Sequence, residues 1–478
     1  MGTGASHDTG PSQTSAWYWR RWFVIPLGAV AVLIVGAGVL HVVFGARVYM
    51  VGSARPRIEF FSRTRHDHLL EAHREAQHNE PTPSLPAPAD VDPHTQWPAF
   101  RGPQRDGVVR SGALALPWPE DGPKLLWRQP IGGGHGSFSI HAGRAYTLEQ
   151  RGEQEVVACY ALADGQELWT HRDEAHFQET MGGPGPRSTP TVDADRVYAL
   201  GATGVLNCLD AVTGQALWTT NILADAQADN VHWGMAGSPL VYGDLVIVAP
   251  GGPVASVIAY DKHTGKPVWT GGTHTAGYSS PMLATLAGRM QLLVLDGESL
   301  TAYSPDDGAV LWHFPWPTYN GINASQPIGL DENRVFISSG YGQGAALLRV
   351  TAADDRFQVE PVWSNKVIEL KFTSALLHEG YVYGLDQNIL TCVNPETGKR
   401  AWKGGRYGFG QLILAGGFLI IQCEDGDLAL VEATPEAHRE LSRVAAIEGR
   451  TWNHPALADG KLLVRNDREM ACFDLSAP

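Results

Sequence analysis

From residue 97 onward, apolar positions come in short alternating runs broken by Gly, Asp, Asn or Pro. The stretch GSPLVYGDLVIVAPGG (237–252), then SVIAYDKHTG (256–265), then Pro-Val-Trp is representative. A period of two predicts half-buried strands, and the polar breaks predict hairpins between them. Five times the pattern closes on the same turn and the same aromatic: ADGQELW (163–169), DAVTGQALW (210–218), DKHTGKPVW (261–269), SPDDGAVLW (304–312) and NPETGKRAW (394–402). The Gly supplies the positive φ of a tight hairpin, and the Trp four residues later begins an outermost strand, where a large ring can cover a sheet edge.

Outer strands centred on Trp127, Trp169, Trp218, Trp269, Trp312, Trp363 and Trp402, with a degenerate member near Leu441, lie 39 to 51 residues apart. That spacing is the signature of a radial repeat. Eight inner strands go with them: GSFSI (136–140), STPTV (188–192), GSPLV (237–241), SSPML (279–283), SQPIG (325–329), TSALL (373–377), GQLIL (410–414) and NHPAL (453–457). The last has no outer strand after it, whereas KLLWRQP (124–130) has none of its own blade before it. Pairing the two ends of the domain closes the ring and leaves no open edge. The expected fold is an all-β, eight-bladed propeller whose seven Trp residues dock blade on blade.

Strand, Asp-x-x-Thr-Gly-x-x-x-Trp, strand resembles the tryptophan-docking repeat of the quinoprotein alcohol dehydrogenase-like propellers. WPAFRGPQRDG (97–107) is similar to the lead-in of bacterial repeat proteins of this kind. That superfamily includes pyrroloquinoline quinone (PQQ) dehydrogenases and the non-enzymatic BamB-type outer-membrane assembly proteins. The resemblance covers residues 97–478 and implies the eight-bladed count as well as these two kinds of role.

Before the propeller, WFVIPLGAVAVLIVGAGVLHVVF (22–44) is 23 nearly uninterrupted apolar positions without a formal charge. That is long enough to span a bilayer core of about 30 Å. Trp17, Tyr18, Trp19 and Trp22 beside Arg20 and Arg21 read as an interfacial belt. The predicted organisation is a tail (1–21), a transmembrane helix (22–44), a juxtamembrane helix (58–78) with a Pro-rich linker within 45–96, and the propeller (97–478). Basic residues flank both ends of the span, and the resemblance implies export, so the propeller is placed in the periplasm on a single-pass inner-membrane anchor. His66, His68, His73 and His78 lie on the juxtamembrane helix without the Cys or close carboxylates that would complete a metal site, so this helix is expected to be solvated.

Net charge is −14, which removes any electrostatic footprint for nucleic acid. Four of the five cysteines, Cys159, Cys208, Cys392 and Cys472, fall at one blade position and are expected to be separate, small core residues.

Chemistry is expected where loops from each outer strand to the next inner strand meet around one mouth of the central channel. Arg187, His232, Trp233, Tyr278, Asn323, Lys371 and Asn453 are the candidates for lining it. A PQQ dehydrogenase would need Ca²⁺ on carboxylate and amide oxygens and an Asp base. The loop stretches nearest the inner strands, such as NVHWGMAGS (230–238), carry no Asp, their nearest acid is Glu179, and neither a Cys-Cys pair nor a Cys-x-x-Cys-His haem site is present. Arg187 and Lys371 could pair with the quinone carboxylates and Trp233 could stack on it. The reading taken forward has no catalytic residue, metal or cofactor: a membrane-tethered scaffold for an envelope protein or polymer, with a PQQ- and Ca²⁺-dependent alcohol or sugar dehydrogenase as the alternative.

Overall fold

The computed structural model describes residues 1–2, 46–51, 55–77, 81, 83–110, 112–354 and 356–477. The predicted membrane span, 22–44, lies outside them. No helix among the described residues is long and apolar enough to cross a membrane.

Eight sheets form the body, each built on a blade of four antiparallel strands that are sequential in blades 1 to 7. Blades 1 to 7 span 139–173, 191–221, 240–271, 282–315, 328–365, 376–406 and 411–445. Blade 8 takes three strands from 456–474 and its outermost strand, Lys124–Pro130, from the other end of the domain. Cys472 faces Trp127 across that closing pair. The fold is therefore the eight-bladed propeller expected, closed as expected.

The turn–Trp motif works by steric complementarity. In blade 3, Gly265 has φ +68, and a Cβ there would lie 2.6 Å from the ring of Trp218 in blade 2. The glycine is thus required twice, for the turn and for the ring that docks over it. The indole NH then fastens the neighbour: Trp127 donates to the Leu162 carbonyl at 3.0 Å, Trp218 to Lys262 at 3.1 Å and Trp402 to Thr434 at 2.9 Å. Opposite the ring, on the third strand, sits a small residue everywhere but at Trp363, which faces Leu347. Cys159, Cys208 and Cys392 face Trp169, Trp218 and Trp402, while Ala259 and Ala302 face Trp269 and Trp312. All five cysteines are free and buried, as packing residues should be.

Inner strands begin later than their sequence runs, for example Leu240–Tyr242 rather than 237–241. Their first residues instead form a belt around the channel. Ser137 N–H donates to Thr189 Oγ1, Thr189 N–H to Ser238 Oγ and Ser238 N–H to Ser280 Oγ, each at 2.9 Å. A hydroxyl that caps the next blade's backbone satisfies a buried donor that no ladder reaches.

The segment ahead of the propeller departs from expectation. A two-stranded sheet pairs Ala46–Val51 with Arg55–Phe60, and the helix, described over Arg63–Gln77, begins at Arg63 rather than at 58. Nor is it simply solvated. Leu70, Arg74 and Gln77 are buried, and the compact unit built around the propeller takes in Asp67–Pro478. Arg74 donates to the Pro130 carbonyl at 2.5 Å, lies 3.6 Å from Glu167 and stacks 4.7 Å from the Tyr160 ring. Arg151 ties Glu167 and Glu149 together at 2.6 and 3.1 Å. Burial pushes the Glu149 carboxyl up, but Arg151 overrides it and holds it at about 2. The Pro-rich stretch is fastened too, since Arg144 donates to the Pro86 carbonyl at 2.8 Å and His141 Nε2 lies 2.7 Å from the Pro88 carbonyl oxygen.

Candidate functional site

In a four-stranded antiparallel blade the first strand starts, the second ends, the third starts and the fourth ends at one end of the channel. That mouth is therefore built from two loops per blade: the outer-to-inner connections considered above and the hairpins between second and third strands. The second set supplies Asp296, Tyr341 and Glu424, with Glu155 at a strand end beside such a hairpin.

On one arc of the mouth, Arg187, His232, Trp233 and Tyr278 come together around Glu179. The Arg187 guanidinium stacks 4.6 Å from Phe177 and donates to the Gly183 carbonyl at 2.8 Å. His232 lies edge-on to Trp233 at 4.7 Å and 3.7 Å from Glu179, and Trp233 meets Tyr278 at 5.7 Å. Burial lowers the Arg187 pKa to about 10, against the opposing pull of Glu155 and Glu179.

Lys371 stands on the other arc, its ammonium 4.4 Å from the Phe409 ring and 5.5 Å from Tyr341. Phe409 continues through Phe372 at 5.4 Å and Trp452 at 5.0 Å to His135 at 5.4 Å. Arg450 stacks 4.0 Å from Trp452 and donates to the Met181 carbonyl at 3.0 Å, which joins the two arcs. Burial, reinforced by Arg187 and Arg450, drives the His135 pKa down to about 3, so its ring is neutral at working pH. Among the described residues, neither Arg187 nor Lys371 has a carboxylate at ion-pair distance. A cation held over aromatic faces without a counter-ion remains available to an incoming acceptor.

Asn323 and Asn453 are buried side chains. Asn323 is fully buried, donates to the Asp296 and Trp316 carbonyls at 2.8 and 3.0 Å, and accepts from Ser339 at 2.6 Å. Asn453 donates to the carbonyls of Gly134 and Gly136 at 3.1 and 2.8 Å. Both hold mouth loops in place from beneath.

Sequence reasoning missed Phe372, Phe409 and Trp452, whose loop stretches it had included, Arg450 just ahead of one of them, and Glu155, whose hairpin it had not considered. Glu155 is almost fully buried and accepts from the Ala202 N–H at 3.1 Å. Burial raises its pKa to about 7, with a smaller contribution from Asp173.

The donors present do not suit a Ca²⁺–quinone pair. Glu179 is occupied by the Met181 and Gly182 N–H groups at 2.9 and 2.6 Å. Glu424 is occupied by the Trp452 indole NH at 2.9 Å and the Phe409 N–H at 3.0 Å. Among the described residues, no three His, Cys, Asp or Glu side chains converge to hold a metal. A hard cation needs six to eight oxygens, so this mouth offers a planar or anionic ligand stacking faces and cations but no metal cage.

A family model described as outer membrane protein assembly factor BamB matches residues 152–404, just over half of the chain. The chain belongs to that family. Its PQQ-like propeller is also similar in sequence to a tetrathionate hydrolase from Acidithiobacillus ferrooxidans, 27% identical over 176 residues, 33% of each chain. A quinoprotein ethanol dehydrogenase from Pseudomonas aeruginosa is 33% identical over 150 residues, 28% of this chain and 23% of that one. The chain thus matches a quarter to a third of the length of these curated relatives. Among solved structures, quinohemoprotein alcohol dehydrogenase from Comamonas testosteroni superposes with a TM-score of 0.58 at 13% identity, over 82% of this chain and 83% of that one. A europium-containing methanol dehydrogenase gives 0.58 at 12%, over 81% and 99%. At such identities the shared feature is the fold.

Proposed function

We propose that this BamB-family propeller is a non-catalytic binding or assembly scaffold of the cell envelope, tethered to the inner membrane by residues 22–44, with its propeller in the periplasm. The observation that carries the reading is the make-up of the mouth. Two cations without an ion-paired carboxylate and a run of aromatic faces line it, while the Glu179 and Glu424 carboxylates are committed to backbone and indole N–H groups. Side chains of this kind are the ones that dominate binding at protein interfaces.

A photoreactive residue at His232 or Tyr341 should crosslink in intact cells to one discrete partner, and the same residue at Val362, on an outer strand, should not. Equal labelling from all three positions would defeat the reading. The dehydrogenase alternative is supported by the local likeness to quinoprotein ethanol dehydrogenases and by Glu155, a buried carboxyl with a pKa in the range of a general base.

A further inference from the structure

The other end of the channel is built differently. Residues 97–110 cross it as a cap that touches blade after blade. Trp97 exchanges backbone hydrogen bonds with Ile140, the Pro98 carbonyl accepts from Val192, and Val108–Val109 pairs in parallel with Leu414–Ala415. Two arginines of the cap point inward. Arg105 donates to the Pro239 and Ser238 carbonyls at 2.8 and 2.9 Å, and Arg101 to the Ala375 carbonyl at 2.6 Å and Gln326 at 3.3 Å.

The cap leaves an opening beside blades 4 and 5. There lies a cleft of about 900 Å³ whose walls include Leu240, Met282, Ala284, Ile328 and Leu330, with Arg101 and Arg105 at the cap side. Arg101 is 2% and Arg105 6% exposed, and the Nε of each is buried without a hydrogen-bond partner. Among the described residues neither guanidinium has a carboxylate at ion-pair distance. The neighbouring acids are engaged elsewhere: Asp106 with Arg110 at 2.5 Å, Asp193 with Lys262 at 2.9 Å and Asp331 with Arg334 at 2.7 Å. Burial, reinforced by the charge of Arg101, lowers the Arg105 pKa to about 9. Buried charge without a counter-charge is costly and is relieved by any anion that reaches it.

We propose that this cleft is a second binding site, separate from the mouth, for a small amphipathic carboxylate, its apolar body against the inner strands of blades 3 to 5 and its anionic head toward Arg101 and Arg105. The volume falls within the range of small-molecule sites, and an apolar wall with a few convergent polar groups is their usual composition. The site is independent of the scaffold reading and stands or falls without it.

The test is saturation-transfer NMR on the full chain in lipid nanodiscs, with phenylbutyrate as probe, phenylbutyramide as its neutral isostere and empty nanodiscs as baseline. Phenylbutyrate should saturate, with the amide at least about tenfold weaker. Ala284→Phe, which fills the cleft, and Met290→Glu, which adds an acid at an exposed lining position, should each weaken the acid severalfold. Both avoid the carbonyl contacts that make Arg105→Gln a risk to folding. The proposal is overturned by equal binding of acid and amide, by no signal above empty discs at about 10 mM probe, or by an acid affinity that neither variant changes.

Discussion

Replacing Glu155 by Gln should make the protein more stable at pH 8 and remove part of its pH dependence. The carboxyl is 2% exposed, and burial raises its pKa from 4.5 to about 7. A carboxyl whose folded pKa lies above its unfolded value binds the proton more tightly in the folded chain. Its contribution is therefore fully present below pH 4.5 and is lost as pH rises through about 7. Each unit corresponds to 1.36 kcal/mol, so the charged form costs on the order of 3 kcal/mol above pH 8. Gln keeps an oxygen for the Ala202 N–H while removing the charge. Thermal unfolding from pH 4 to 9 is the assay. The variant should gain several degrees over the parent at pH 8 and little at pH 4. An equal shift at both ends, or a variant less stable at pH 8, would refute the argument, because neither follows from a buried, proton-hungry carboxyl.

Gly265→Ala should cost at least about 2 kcal/mol more than Gly288→Ala. Both glycines have positive φ, but only the first would drive a Cβ into a docked Trp, with open space around the second; thermal midpoints compare them. Arg74→Ala should cost about 3 kcal/mol by leaving Glu167 short of a buried partner and should expose residues 63–96 to limited proteolysis. At the mouth, Lys371→Ala and Trp452→Ala should each weaken the partner crosslink from Tyr341 without lowering the unfolding temperature by more than a few degrees.

The ring was legible because its defining interaction is local in sequence and repeated. Gly265 and Trp269 share one turn, and the contact of Gly265 with Trp218 recurs at Gly165, Gly214, Gly308 and Gly398, each against the Trp of the preceding blade. Closure was legible as an unpaired strand at each end. The mouth was read only in part. Asn323 and Asn453 look like ligand groups as residue types, but burial and carbonyl partners decide otherwise, and neither is visible in one dimension. Glu155 was missed because its environment comes from Ala202 in the next blade and from Asp173 across the sheet. The helix at Arg63–Gln77 looked solvated because its few buried positions include Arg74 and Gln77, polar groups whose partners lie on the propeller. The cap arginines gave no signal, since WPAFRGPQRDG stood out as a likeness and not as a plug.

The central claim is that the mouth binds a partner without quinone chemistry, and the most direct measurement is a titration of the full chain with PQQ, with and without Ca²⁺, followed by Trp fluorescence. The account predicts no saturable, Ca²⁺-dependent quenching at micromolar PQQ. Saturable quenching that requires Ca²⁺ and disappears in Trp233→Phe or Lys371→Ala would contradict it and establish the dehydrogenase reading as the one to pursue.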